Sequence, residues 1–157
     1  MSNEPREWHM ASEADEIAAR VRLKTAREAA GKEPEEMAMY VGRSISNYYD
    51  LENVNGELFR TVALGELSKL CLALGIEART LFDRPIITGQ YISPEELIAK
   101  TKMYLSNCGL SVAEFEDQIG FEIESSFSSP TEVMNWNVDF LRWLCREIDV
   151  DWRLALP

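Results

Sequence analysis

Nucleophilic or metal-assisted chemistry in this chain would have to start from one histidine, His9, and three cysteines, Cys71, Cys108 and Cys145. His9 sits in the polar opening stretch MSNEPREWHMASEADE. A Ser/His/Asp or Cys/His arrangement needs an imidazole beside its nucleophile, and zinc sites are usually assembled from several His or Cys ligands. The cysteines form no CxxC pair, are odd in number and have apolar neighbours, so reduced, buried thiols are expected rather than a disulfide frame. No P-loop and no GxGxxG occurs. Carboxylates are abundant, but no pair stands out by spacing. The expectation is a protein that is not an enzyme and takes no cofactor. Recognition through hydrogen-bonding and aromatic side chains is the chemistry that remains.

Twenty-seven Asp+Glu against 16 Lys+Arg leave a formal net charge of −11 over 157 residues. An apolar fraction of 46 % with 27 % charged residues is a globular balance. No apolar run approaches the roughly 20 residues that span a bilayer, and the opening stretch has no apolar signal region. No membrane partner and a cytoplasmic location are therefore expected. The charge is uneven: −3 over residues 1–15, −2 over 16–83 and −7 over 94–157. An acidic half repels phosphate and attracts basic protein surfaces.

One pattern is written twice. With Gly31 over Gly109, LKTAREAAG (23–31) lies over TKMYLSNCG (101–109), and KEPEEMAMYVG (32–42) over LSVAEFEDQIG (110–120). After a four-residue shift, LSKLCLALGI (67–76) lies over LRWLCREIDV (141–150). Three ordered blocks point to a duplicated unit of about 65 residues. Each copy reads as short helices. Ser12 and Asp15 form a capping-box-like start for a helix of about 18 residues that stops at Gly31. Pro34-Glu35-Glu36 opens a second helix that stops at Gly42. Ser44 caps a third, Leu67 to Leu74 marks a fourth, and Ile76 to Phe82 a short fifth. Ser93-Pro94-Glu95-Glu96, and Ser111 with Glu114, are starts in the second copy. Met37, Ala38, Val41, Tyr48, Leu51, Leu67, Leu70, Cys71, Leu74 and Leu81 supply the first core. Ala19, Leu23, Ala26 and Ala30 form the inward stripe of the first helix. A second stripe, Ala14, Ile17 and Val21, needs a cover, which the chain itself is expected to provide.

The stretch LKTAREAAGKEPEEMAMYVGRSISNYYDLE followed by LSKLCLALGIEARTLF resembles the lambda-repressor-like, Cro-type helix-turn-helix family. The resemblance implies an all-α chain of two tandem five-helix domains, the second a degenerate copy. The divisions are a polar leader (1–15), a helix-turn-helix domain (16–84), a linker (85–93) and an acidic helix-turn-helix-like domain (94–157). It also implies an ion pair between Arg27, late in the first helix, and Glu52, ending the third. The second copy carries Leu105 and Pro130 there, so both partners are lost together, as the cost of an unpaired buried charge requires.

In that family the third helix enters the DNA major groove. The matching positions here are Arg43, Ser44, Ile45, Ser46, Asn47, Tyr49 and Asp50, with Lys32 and Arg60 placed to reach phosphates. The implied function is a DNA-binding transcriptional regulator reading duplex DNA through its first domain. Its second domain would serve protein contact or dimerisation; a homodimer would set two third helices about 34 Å apart. Pro34 and its neighbours Glu33 and Glu35 sit where many family members carry a phosphate-touching glutamine, which opens an alternative: an acidic, non-DNA-binding module for a basic protein, such as an antitoxin, a toxin-immunity protein or a DNA mimic. Candidate protein contacts in the second copy are Phe121, Glu122, Glu124, Phe127, Trp136 and Trp152, because aromatics within an acidic rim suit a basic partner.

Overall fold

A computed structural model describes residues 12–82 and 89–157; His9, the remainder of the stretch before Ser12, and residues 83–88 lie outside the described residues. The described residues are all-α, with one isolated bridge and no named strand. The helices are α1 (Glu13–Ala29), α2 (Pro34–Val41), α3 (Ile45–Asn53), α4 (Glu57–Arg60), α5 (Leu64–Leu74), α6 (Pro94–Cys108), α7 (Val112–Ile119), α8 (Glu124–Ser128) and α9 (Val138–Glu147). Single 3-10 turns occupy Ala78–Leu81, Pro130–Asn135 and Trp152–Ala155.

Local sequence explains the boundaries. Ser12 Oγ accepts from the Asp15 amide, and Asp15 Oδ2 accepts from the Ser12 amide, closing a capping box. Ser44, Ser93 and Ser111 cap α3, α6 and α7 through the amides of Asn47, Glu96 and Glu114. Gly42 ends α2 at φ 73°, a left-handed conformation that lets the chain turn sharply into α3. Between α3 and α5 a further one-turn helix, α4, forms behind Gly56, itself at φ 84°.

The core is continuous through the molecule. Ala19 and Leu23 of α1 meet Met37 and Ala38 of α2, Tyr48 and Leu51 of α3, and the Leu64–Leu67–Leu70–Leu74 stripe of α5. The same cluster runs on into Leu97, Phe115, Val138, Leu141 and Leu144. Where the halves meet, α4 packs on α9 and α5 packs on the Pro130–Asn135 turn. The Leu64 amide donates to the Trp136 carbonyl at 2.8 Å, and Asn137 Nδ2 donates to the Arg60 carbonyl at 2.9 Å. Phe59, Phe82 and Trp152 stack with centroids 5.1 to 6.3 Å apart across this seam.

Buried Arg153 pairs with Asp151 at 2.9 Å near the C-terminus, and a second ionic group lies inside the first half. Arg27 Nε and Nη2 donate to the two Glu52 oxygens at 2.5 and 3.1 Å, and Nη1 donates to the Lys32 carbonyl at 2.9 Å. Tyr48 Oη donates to Glu52 Oε1 at 2.9 Å. The expected pair therefore forms. It fixes α1 to the C-terminal turn of α3 and saturates both Glu52 oxygens in a buried site. Hydrogen bonding to Glu52 pushes the Arg27 guanidinium further up. Leu105 is buried and Pro130 half-buried.

Three expectations are corrected. Ala30 is exposed, because α1 ends one residue before it. Ala14, Ile17 and Val21 are exposed, so the second half of the chain does not cover them. Cys108 is exposed at the end of α6, whereas Cys71 and Cys145 are buried.

Glu52→Ala should leave the Arg27 guanidinium buried without a counter-charge and lower unfolding free energy by roughly 3–5 kcal/mol. Arg27→Leu combined with Glu52→Leu should recover most of that loss in urea melts, since no charge is then stranded. A double variant as unstable as the single one would contradict this reading.

Candidate functional site

The exposed face of α2 and α3 is the best-built surface of the first half. Tyr48, Leu51 and Glu52 point inward, and the 3.6-residue period turns Ile45, Ser46, Asn47, Tyr49 and Asp50 to solvent. Ser44, at the cap, is exposed too. Every one of these sequence-assigned polar and apolar contacts thus shares an accessible helix. Ile45 is 48 % and Tyr49 41 % exposed, and Met39 on α2 reaches 84 %. Tyr40 and Val54 are exposed as well.

The electrostatic frame is acidic. Glu33, Glu35 and Glu36 on the N-terminal end of α2 are exposed, as is Asp50 on α3. Tyr49 Oη lies 3.5 Å from Glu35 Oε1, which links the two helices' exposed faces. Pro34 is buried and has no amide hydrogen to offer a phosphate.

The assigned cations are engaged. Arg43 Nε and Nη2 donate to Glu66 at 2.6 and 2.7 Å, and Nη2 also donates to the Thr61 carbonyl at 2.6 Å. This bidentate bond to Glu66 raises the Arg43 pKa and aims its fork at α5 rather than outward. Arg60 lies 3.6 Å from Glu16 and donates to the Asn55 carbonyl at 3.4 Å. Lys32 lies 4.0 Å from Glu36. These two pairs are solvent-exposed and individually weak, yet each leaves its cation beside a carboxylate. Arg20 donates to Asn55 Oδ1 at 2.6 Å and to the Glu52 carbonyl at 3.3 Å.

The second-half candidates divide. Trp136 and Trp152 are only 8 % and 5 % exposed and belong to the core. Trp136 stacks on Phe140 at 4.6 Å, and Trp152 sits between Phe59 and Phe82. Glu122 and Glu124 are exposed, and Phe127 is half-buried with Lys102 Nζ 5.6 Å from its ring. Phe121 is half-buried against Phe140. Trp143 was missing from the sequence-assigned set; it is 45 % exposed, with the Arg146 guanidinium 4.7 Å from its ring. Helical periodicity carries the signal for it: Leu141, Leu144, Cys145 and Ile148 define the inward stripe, and position 143 falls off it.

Among the described residues no three His, Cys, Asp or Glu side chains converge in a metal-binding group. A cavity of about 320 Å³ lies between the end of α5 and the C-terminal segment and is lined by Cys71, Leu72, Tyr91 and Leu154 among others. Its charged members, Glu77 and Arg79, pair with each other at 2.9 Å. Burial pushes the Cys71 thiol up to about 12, and burial likewise raises Cys145. A thiol there is neither a ready nucleophile nor a ready metal ligand at neutral pH.

At pH 8 a thiol reagent should modify Cys108 rapidly and Cys71 and Cys145 only on unfolding. Because the folded thiols hold their protons more tightly, their contribution to stability is complete below pH 9 and declines as pH rises toward 12. Rapid labelling of all three cysteines in the native protein would contradict the burial. Comparison with family models, with curated proteins and with solved structures finds no match for this chain.

Proposed function

We propose that the chain is a non-enzymatic recognition protein built from two tandem helix-turn-helix-like units, whose exposed α2–α3 face binds a protein rather than duplex DNA. The single observation that carries this reading is the engagement of Arg43. The one guanidinium at the start of α3 is clamped by Glu66 and the Thr61 carbonyl, while Ile45, Tyr49 and Met39 stand exposed inside an acidic frame. Duplex binding depends on several phosphate contacts and the counterions they release. An apolar patch with a carboxylate rim suits a basic protein surface instead.

The tandem architecture has independent support. The helical segments α1 to α5 and the Ala78–Leu81 turn recur in order as α6, α7, α8, the Pro130–Asn135 turn, α9 and the Trp152–Ala155 turn. The isolated antiparallel bridge joins Ala63 to Asn137. Those two residues occupy the same position when Leu67 is laid over Leu141. The packing of α4 on α9 has its counterpart in that of α5 on the Pro130–Asn135 turn. Reciprocal contact between equivalent positions is the signature of a two-fold interface, here within one chain. The arrangement is that of a dimer fused into a single polypeptide, with unequal outer faces.

A second reading, the DNA-binding regulator, is favoured by one observation: Ser44, Ser46, Asn47 and Asp50 present donors and acceptors on an accessible helix of suitable width for a major groove. Fluorescence anisotropy with a labelled random duplex separates the two. At about 50 mM salt the chain should show no saturable binding. Saturable binding that weakens steeply with salt and disappears in Arg43→Ala would establish the regulator instead.

A further inference from the structure

We infer that a shallow aromatic pocket between α7 and α9 is a second docking site, which accepts one large apolar side chain from a positively charged protein segment. The pocket, about 210 Å³, is lined by Ile119, Phe121, Asn137, Phe140 and Trp143. In the aligned register these positions correspond to Val41, Arg43, Ala63, Glu66 and Lys69. The correspondence is physical as well as textual. Arg43 and Glu66 pair with each other in the first unit, and Phe121 and Phe140 stack on each other in the second.

Three charged positions have thus become three aromatic ones at one surface location. Phe121 and Phe140 also pack against the core, but Trp143 stands exposed and core packing does not call for it. An ion pair would close the surface, as it does beside α5, whereas the aromatic trio leaves Trp143 45 % exposed beside an open apolar hollow. The hollow is about the size of one leucine or aromatic side chain, the usual anchor of a protein contact.

Charge identifies the partner. From Met103 to Leu141 the chain carries no Lys or Arg and seven carboxylates: Glu114, Glu116, Asp117, Glu122, Glu124, Glu132 and Asp139. Glu122, next to Phe121, is exposed. Of the bases that follow, Arg142 is turned to Asp139 at 2.7 Å and to the Phe59 ring, and Arg146 lies over Trp143. A Lys- or Arg-rich helix with a single apolar anchor fits both the hollow and its surroundings.

This inference rests on the protein-binding reading and on the tandem register, but it uses a different face from α3. The test uses the full chain and two labelled synthetic Lys/Ala helical peptides, one with a central leucine and one with alanine in its place. At about 150 mM salt the leucine peptide should bind at least roughly tenfold more tightly. Trp143→Ala should abolish that preference. Phe121→Arg combined with Phe140→Glu installs the first unit's ion pair and should also abolish it. Tyr49→Ala should leave it intact, which separates this site from the α3 face. Equal affinity for both peptides, no binding of either, or a preference that survives Trp143→Ala would overturn the proposal. If the double variant fails to fold, as read by circular dichroism, Trp143→Ala decides alone.

Discussion

Two guanidinium groups of the first half, Arg27 and Arg43, are each held by a carboxylate of the same chain, and those two bonds organise both its fold and its surface. Arg27 meets Glu52 inside the first unit and ties α1 to α3. Arg43 meets Glu66 and ties the start of α3 to α5. Together the two pairs hold α3 at both ends, which fixes which of its residues face solvent. The same bonds withdraw one cation from solvent and turn the other inward. A positioning device for α3 is therefore also what removes positive charge from its exposed side.

The second half carries ion pairs too, Arg142 with Asp139 and the buried Arg153 with Asp151. Under the proposed tandem register, Leu105 and Pro130 fall where the Arg27–Glu52 pair stands, and Phe121 and Phe140 fall where Arg43 and Glu66 pair. Both substitutions exchange two partners at once, which avoids the penalty of a stranded charge. Their consequences differ. The buried exchange is silent outside the molecule, while the surface exchange creates an apolar hollow. Phe59, Phe82 and Trp152 fill the seam between the halves, and hydrogen bonds from the Leu64 amide to the Trp136 carbonyl and from Asn137 Nδ2 to the Arg60 carbonyl cross it. Each half covers the other, and one continuous core runs through both.

Much of this was legible in the sequence because it is local. Serine caps, prolines at first helical turns and glycines after last ones mark α1, α2, α3, α6 and α7 directly. The one-turn α4 was not legible, since four residues carry no periodicity and the stretch from 53 to 66 reads as a loop. The Arg27–Glu52 pair came from the family resemblance rather than from spacing. The Arg43–Glu66 bond was missed: its partners stand 23 residues apart on different elements, and Arg43 alone looks like a free phosphate ligand. Aromatic content could not separate core from surface. Trp136 and Trp152 went inward because they lie at the seam, which no single-helix pattern reveals, whereas Trp143 lies off the apolar stripe of α9 and could have been placed.

The central claim is that the exposed side of α3 is unsuited to phosphate and available to protein. Chemical-shift mapping of the isotope-labelled full chain against a short duplex at low salt tests it most directly. The account predicts that the amide signals of Ile45, Ser46, Asn47 and Tyr49 stay in place as duplex is added. Saturable shifts centred on those residues, together with movement of the Arg43 side-chain Nε signal, would contradict it.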